Sequence, residues 1–167
     1  VNMPRTRLRL VAFLLAAALQ AFPQAQAVHV IRDGRDVVCS LLERGWFRAD
    51  RGGVDDARRA YGAHPRFWVE PERVDEFSRA SEARRAAWAW RRYAGAARAV
   101  PERVVELRYE SLVTQPGAEA ERLAASLGGD GAALAAAFGR AHDTSLGRWR
   151  SDLTSEQVRD VESEAGE

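Results

Sequence analysis

The sequence predicts an α/β fold with few parallel strands and mostly helices, and three observations carry that prediction. Two short runs, Ala27 to Ile31 and Arg103 to Leu107, have the near-continuous apolar character of buried parallel strands. The longer stretches around them carry helical spacing with recognisable start and stop residues. A charged turn, Arg32-Asp33-Gly34-Arg35-Asp36, joins the first strand to an apolar-faced helix. In open α/β sheets ligands sit at such carboxyl edges.

The elements follow in order. Arg5 to Ala21 is a candidate helix, although the same region also has the make-up of a signal peptide. Met3 to Arg9 is basic, Leu10 to Phe22 apolar, and Ala25-Gln26-Ala27 a small-residue cleavage site. Val1-Asn2 precede the methionine, and cleavage after Ala27 would leave a chain starting at a buried strand, so the in-domain helix is preferred. That reading implies a cytoplasmic protein, the signal reading a secreted one. The apolar run of about 13 residues is short of the roughly 20 that a bilayer requires. Arg35 to Phe47 is the next helix. Arg48 to Val69 is irregular, with Gly52-Gly53, Gly62 and Pro65, and long for a loop. Pro71 to Ala99 reads as one long helix, with Val74, Phe77, Ala80, Trp88, Tyr93 and Ala97 near helical spacing and Pro101 just past its end. After the second strand, Glu110 to Leu127 is a helix stopped by Gly128-Gly129, and Gly131 to Arg140 is helical and alanine-rich. A last helix starts at a Thr154/Ser155 cap.

The chemistry concentrates in the turn after the first strand. Arg32 stands at the strand's carboxyl end, and the following helix offers unpaired backbone N–H groups and its positive dipole end. Asp36 and Ser40 lie four residues apart on one helix face, so the Ser40 hydroxyl can point back toward the turn. Arginine, hydroxyl and amides together suit a phosphate. The same residues also fit a solvated ion-pair turn with an ordinary helix serine.

Other features narrow the function. A net charge of +1 with arginines interleaved among acids disfavours a general polyanion binder. Cys39 is the only cysteine, so no intrachain disulfide forms, and its apolar setting makes it a core residue. His29, His64 and His142 lack ligand spacing, and no metal site is expected. Trp88 is read as core.

Three segments resemble one family in the same order along the chain. VIRDGRDVVCSLL is similar to the 3′-phosphate segment of sulfotransferases that use 3′-phosphoadenosine 5′-phosphosulfate, in which an arginine is followed by a charged turn and a serine eight residues on. Arg108-Tyr109-Glu110-Ser111-Leu112 resembles the tyrosine–glutamate segment after the family's next strand. Ser145-Leu146-Gly147-Arg148-Trp149-Arg150 looks like its late closing loop, with His142-Asp143-Thr144 standing where many members carry a basic pair and glycine. Pro4 to Pro23 also resembles the helix and proline turn feeding the phosphate-binding strand. The resemblance implies a P-loop-like sulfotransferase domain in which Arg32 and Ser40 hold the 3′-phosphate. It further implies that Tyr109 lies near the nucleotide and that Ser145, Gly147 and Arg148 belong to the closing loop; the tryptophans are read mainly as packing, with stacking near the nucleotide the alternative for Trp149. Residues 48–69 become a substrate-facing lid or insertion. The implied partners are the phosphosulfate donor and an acceptor, without metal or nucleic acid.

All 25 basic residues are arginine, and the first 27 residues contain neither glycine nor serine. The family's 5′-phosphosulfate loop, rich in glycine, serine and threonine and often bearing a lysine, therefore has no counterpart before Val28. Residues 1–167 are accordingly expected to be a single incomplete sulfotransferase-like domain, its carboxyl-terminal part, inactive as an isolated chain. A non-catalytic nucleotide-binding remnant and a secreted helical interaction protein are the alternatives.

Overall fold

The structure, a computed structural model, describes residues 7–51, 66–141 and 143–166. It is α/β, mostly helical with one two-stranded parallel sheet. The chain divides into two compact units. One comprises Leu10–Asp33 and Ala96–Leu146, the other Val1–Arg9, Gly34–Gly95 and Gly147–Glu167.

The first unit contains both strands. Helix α1 (Arg7–Ala21) leads through a turn at Phe22 into β1 (Ala27–Ile31), which pairs in parallel with β2 (Val104–Arg108). The register sets Ala27 opposite Val104 and Ile31 opposite Arg108. Arg103 fixes how β1 is entered, donating to the backbone carbonyls of Leu19 at 2.7 Å and Phe22 at 2.8 Å, and to that of Ala25. Those carbonyls at and beyond the helix end have no intrahelical donor, so the guanidinium serves as a C-terminal cap. Three helices follow β2: α5 (Tyr109–Thr114), α6 (Pro116–Leu127) and α7 (Gly131–Phe138). Leu107, Leu112 and Leu123 form the buried centre, with Val105, Leu134 and Phe138 packed around them.

The expectation of two fully buried strands needs correction. Ile31 and Leu107 are buried, whereas Val28 and Val30 are 41 % and 52 % exposed. Side chains alternate across a strand, and the face that carries the two valines is only partly covered. His29, on the opposite face, is paired in register with Glu106, its Nδ1 3.5 Å from that carboxylate. Burial lowers the His29 pKa, and the Glu106 charge partly opposes the shift. The helix expected over Glu110 to Leu127 is two helices, because Pro116 begins α6, having no N–H to continue α5. Gly128 ends α6 in the left-handed conformation at φ 70°, as the double glycine suggested.

The second unit is helical. Helix α2 (Gly34–Glu43) stops short of the expected Phe47, since Gly45 turns left-handed at φ 58°. The long helix expected over Pro71 to Ala99 is a 3-10 turn (Pro71–Arg73), α3 (Val74–Arg79) and α4 (Glu82–Ala97). Ala80 is extended, and the Ser81 hydroxyl accepts the Arg84 N–H at 3.1 Å, an N-cap that starts a new helix. Apolar spacing runs on across this break, which is why periodicity missed it. Two further helices complete the unit, α8 (Trp149–Asp152) and α9 (Ser155–Ala165). The predicted cap of α9 is a full capping box, Gln157 N–H to Thr154 Oγ1 at 3.2 Å and Thr154 N–H to Gln157 Oε1 at 2.9 Å.

The core of this unit is aromatic. Trp68 meets Phe47, Phe77 and Tyr93 edge-on, and Phe77 meets Trp88 at 5.5 Å between centroids. Trp88 is fully buried, as read from its spacing. Most of the lid or insertion expected over 48–69, together with His64, lies outside the described residues, as does His142. The described end of that stretch is core, since Trp68 and Val69 are buried.

Candidate oxyanion site

In the strand-bearing unit, Arg32 leaves β1 with its guanidinium donating to the backbone carbonyl of Ser145. Its Cζ lies 5.3 Å from the centroid of the Tyr109 ring, a cation–π arrangement. One residue on, the Asp33 N–H donates to the Glu110 carboxylate at 2.8 Å. Parallel pairing of β1 with β2 brings these groups together, because Arg32 and Tyr109 each follow directly on a strand end and the two ends are in register. Arg32, Tyr109 and Ser145, far apart in sequence, thus share one corner of the unit.

In the helical unit, Asp36 organises the other group. Its side chain is buried in the first turn of α2 and accepts from Gly147 N–H at 2.8 Å and Trp149 N–H at 3.1 Å. A carboxylate accepting backbone amides is a strong, charge-assisted anchor. Gly147 has φ 67°, a left-handed conformation that favours glycine, and the Arg150 guanidinium lies against it. Arg148 is engaged by acids, donating to Glu43 and, through Nε at 2.6 Å, to Asp152. A phosphate arriving at Arg148 would have to displace these carboxylates. The Trp149 ring faces cations, with Arg35 Cζ 3.9 Å and Arg150 Cζ 4.6 Å from its centroid. Ser40 is half-buried in the second turn of α2, one turn beyond Asp36. The start of α2 is held close to α4, since a Cβ on Gly34 would lie 3.0 Å from the Trp90 ring. Cys39 is buried, and burial pushes its thiol up to about 11, which suits a core residue and not a nucleophile.

Two residues outside the expected set prove structurally central, Glu110 beside Tyr109 and Asp36 beneath the Gly147 turn. The signal for Asp36 was present in its place on the Ser40 face. Its partners are more than a hundred residues away and could not be read from spacing. Among the described residues no cluster of histidine, cysteine or carboxylate side chains could hold a metal ion, and no helix is long and apolar enough to cross a membrane.

The fold is that of an α/β protein with a two-stranded parallel sheet and a predominance of helices. Residues 8–130 match the sulfotransferase family, and the chain belongs to that family. The matched residues include the Arg32 to Ser40 segment and Tyr109, while the loop at Ser145 to Arg148 follows them. No curated protein and no solved structure matches the chain. The family catalyses sulfuryl transfer between a donor and an acceptor, with 3′-phosphoadenosine 5′-phosphosulfate its usual donor.

Proposed function

We propose that this chain carries the 3′-phosphate portion of a sulfotransferase donor site, with Arg32 as the principal cation and the Ser40 hydroxyl as second donor to that phosphate. Tyr109 lies along the nucleotide, and Ser145, Gly147 and Arg148 belong to the loop that closes over it. The observation that carries this reading is the meeting of Arg32, Tyr109 and the Ser145 carbonyl in one corner. The carbonyl and the ring restrict the guanidinium's rotamers, so less ordering remains to be done when an anion binds.

In sulfuryl transfer, as in phosphoryl transfer, the protein mainly aligns donor and acceptor and stabilises charge on the leaving phosphate. A 3′-phosphate anchor is remote from the transferred group, so it orients the donor and discriminates against nucleotides lacking that phosphate. Residues 1–167 contain no lysine, and residues 1–27 contain neither glycine nor serine. We therefore expect negligible sulfuryl turnover from residues 1–167 alone.

Calorimetry with 3′,5′-adenosine bisphosphate tests the assignment. Arg32→Ala should weaken binding by about 2 to 3 kcal/mol, the scale of lost hydrogen bonds between charged groups, which is roughly 30- to 150-fold. Adenosine 5′-monophosphate should bind the parent chain about as weakly as the bisphosphate binds the variant. Equal bisphosphate affinity in parent and Arg32→Ala overturns the reading.

A further inference from the structure

Arg85 is the fourth residue of α4 and only 4 % exposed. Its Nε and Nη1 atoms are buried without a hydrogen-bond partner. Among the described residues no carboxylate reaches it within ion-pair distance, Glu82 being the one acid whose charge bears on it. Its neighbours differ sharply. Arg84 pairs with Glu76 and Glu164, and Arg91 with Glu70 and Glu164. Burial accordingly pulls the Arg85 pKa below the usual arginine value.

The position compounds the effect. Helical Cα–Cβ bonds tilt toward the N-terminus, so the base of the Arg85 side chain is directed toward the first turn of α4, where Glu82 stands. That turn carries the positive end of a sixteen-residue helix dipole. Ser81 caps it by accepting the Arg84 N–H and in turn donates to Asp160. A buried guanidinium with open donors is unfavourable by itself, and an anion pairing with it relieves that cost.

We propose that Arg85 and the N-terminal turn of α4 form a second oxyanion site, taking a single sulfate- or carboxylate-type group. The site goes beyond the donor reading, which uses none of these residues. A ligand that presents such a group, whether a free inorganic anion or the acidic substituent of an acceptor, would complete the unpaired guanidinium.

Thermal unfolding in the Arg32→Ala background, at ionic strength held constant with chloride, tests this without any contribution from the donor anchor. Sulfate at tenfold over its half-saturating concentration should raise Tm by about 4 °C. Formate in place of sulfate separates a planar from a tetrahedral preference, and a response to either supports the site. Adding Arg85→Met should abolish the rise and leave the sulfate-free Tm equal or higher, because an uncompensated buried charge is replaced by an apolar chain of similar length. A rise that survives Arg85→Met overturns the proposal. So does a sulfate-free Tm lowered by several degrees, which would mean that Arg85 finds its counter-ion inside the fold. Should the double variant fail to fold, the arginine Nε–H resonances of Arg32→Ala alone decide. One must move saturably with sulfate and not with chloride, and static resonances overturn the site. Failure here leaves the bisphosphate calorimetry untouched, and failure there leaves this result standing.

Discussion

Glu164→Gln should lower the stability of this protein by about 3 to 5 kcal/mol, the cost of breaking a buried ion pair from one side. The Glu164 side chain is 1 % exposed and is the shared acceptor of three arginines. Arg73 binds both carboxylate oxygens, at 3.2 and 3.0 Å, Arg91 Nε reaches Oε1 at 3.0 Å, and Arg84 Nε reaches Oε2 at 3.3 Å. An amide in its place loses the charge and turns an NH2 toward guanidinium donors. Arg73 also lies 3.8 Å above the Trp88 ring, so the damage reaches the aromatic core. For a chain of this size the loss corresponds to a Tm fall of roughly 10 °C. Glu76→Gln is the internal control, because Glu76 pairs with Arg73 and Arg84 but is 38 % exposed, and exposed pairs contribute about 1 kcal/mol or less. Equal Tm values for the two variants would show that the network around Glu164 is not a buried one.

Asp36→Ala should destabilise by about 2 to 4 kcal/mol and loosen the Gly147 to Trp149 turn. The magnitude is that of two backbone N–H hydrogen bonds to a buried carboxylate, each worth about 1.5 to 3 kcal/mol, less what solvent returns to the released N–H groups. Asp36→Asn keeps an oxygen acceptor without the charge and should lose about half as much. Hydrogen exchange at the Gly147 and Trp149 amides separates the local effect from the global one. Both amides should exchange markedly faster in Asp36→Ala, measured at equal global stability by adding denaturant to the parent. If exchange there is unchanged, Asp36 does not hold the turn. The bisphosphate measurement on the same variant then reads whether this turn serves donor binding.

Much of the architecture was legible in the residues. The two strands, the charged turn between β1 and α2, the glycine stop after Leu127 and the Thr154 cap are local signals, each decided by a few neighbouring side chains. The breaks at Ser81 and Pro116 were misread because hydrophobic spacing continues across them. The reason lies in capping and in a missing N–H, which compete with periodicity. The partly covered face at Val28 and Val30 was invisible for another reason, since an apolar strand reads the same whether one or both faces are covered.

By itself, the sequence determined the α/β class, the membership in a sulfotransferase family and the order of the segments around Arg32, Tyr109 and Gly147. These depend on residue type and spacing along the chain. Only the tertiary structure decided that Arg32 meets the Ser145 carbonyl and the Tyr109 ring, that Asp36 holds the Gly147 turn, and that Glu164 gathers three arginines while no carboxylate among the described residues pairs with Arg85. A sequence composed of interleaved arginines and acids contains many possible pairs. Which ones form is settled by burial and by contacts between residues far apart along the chain, and those exist only once it has folded.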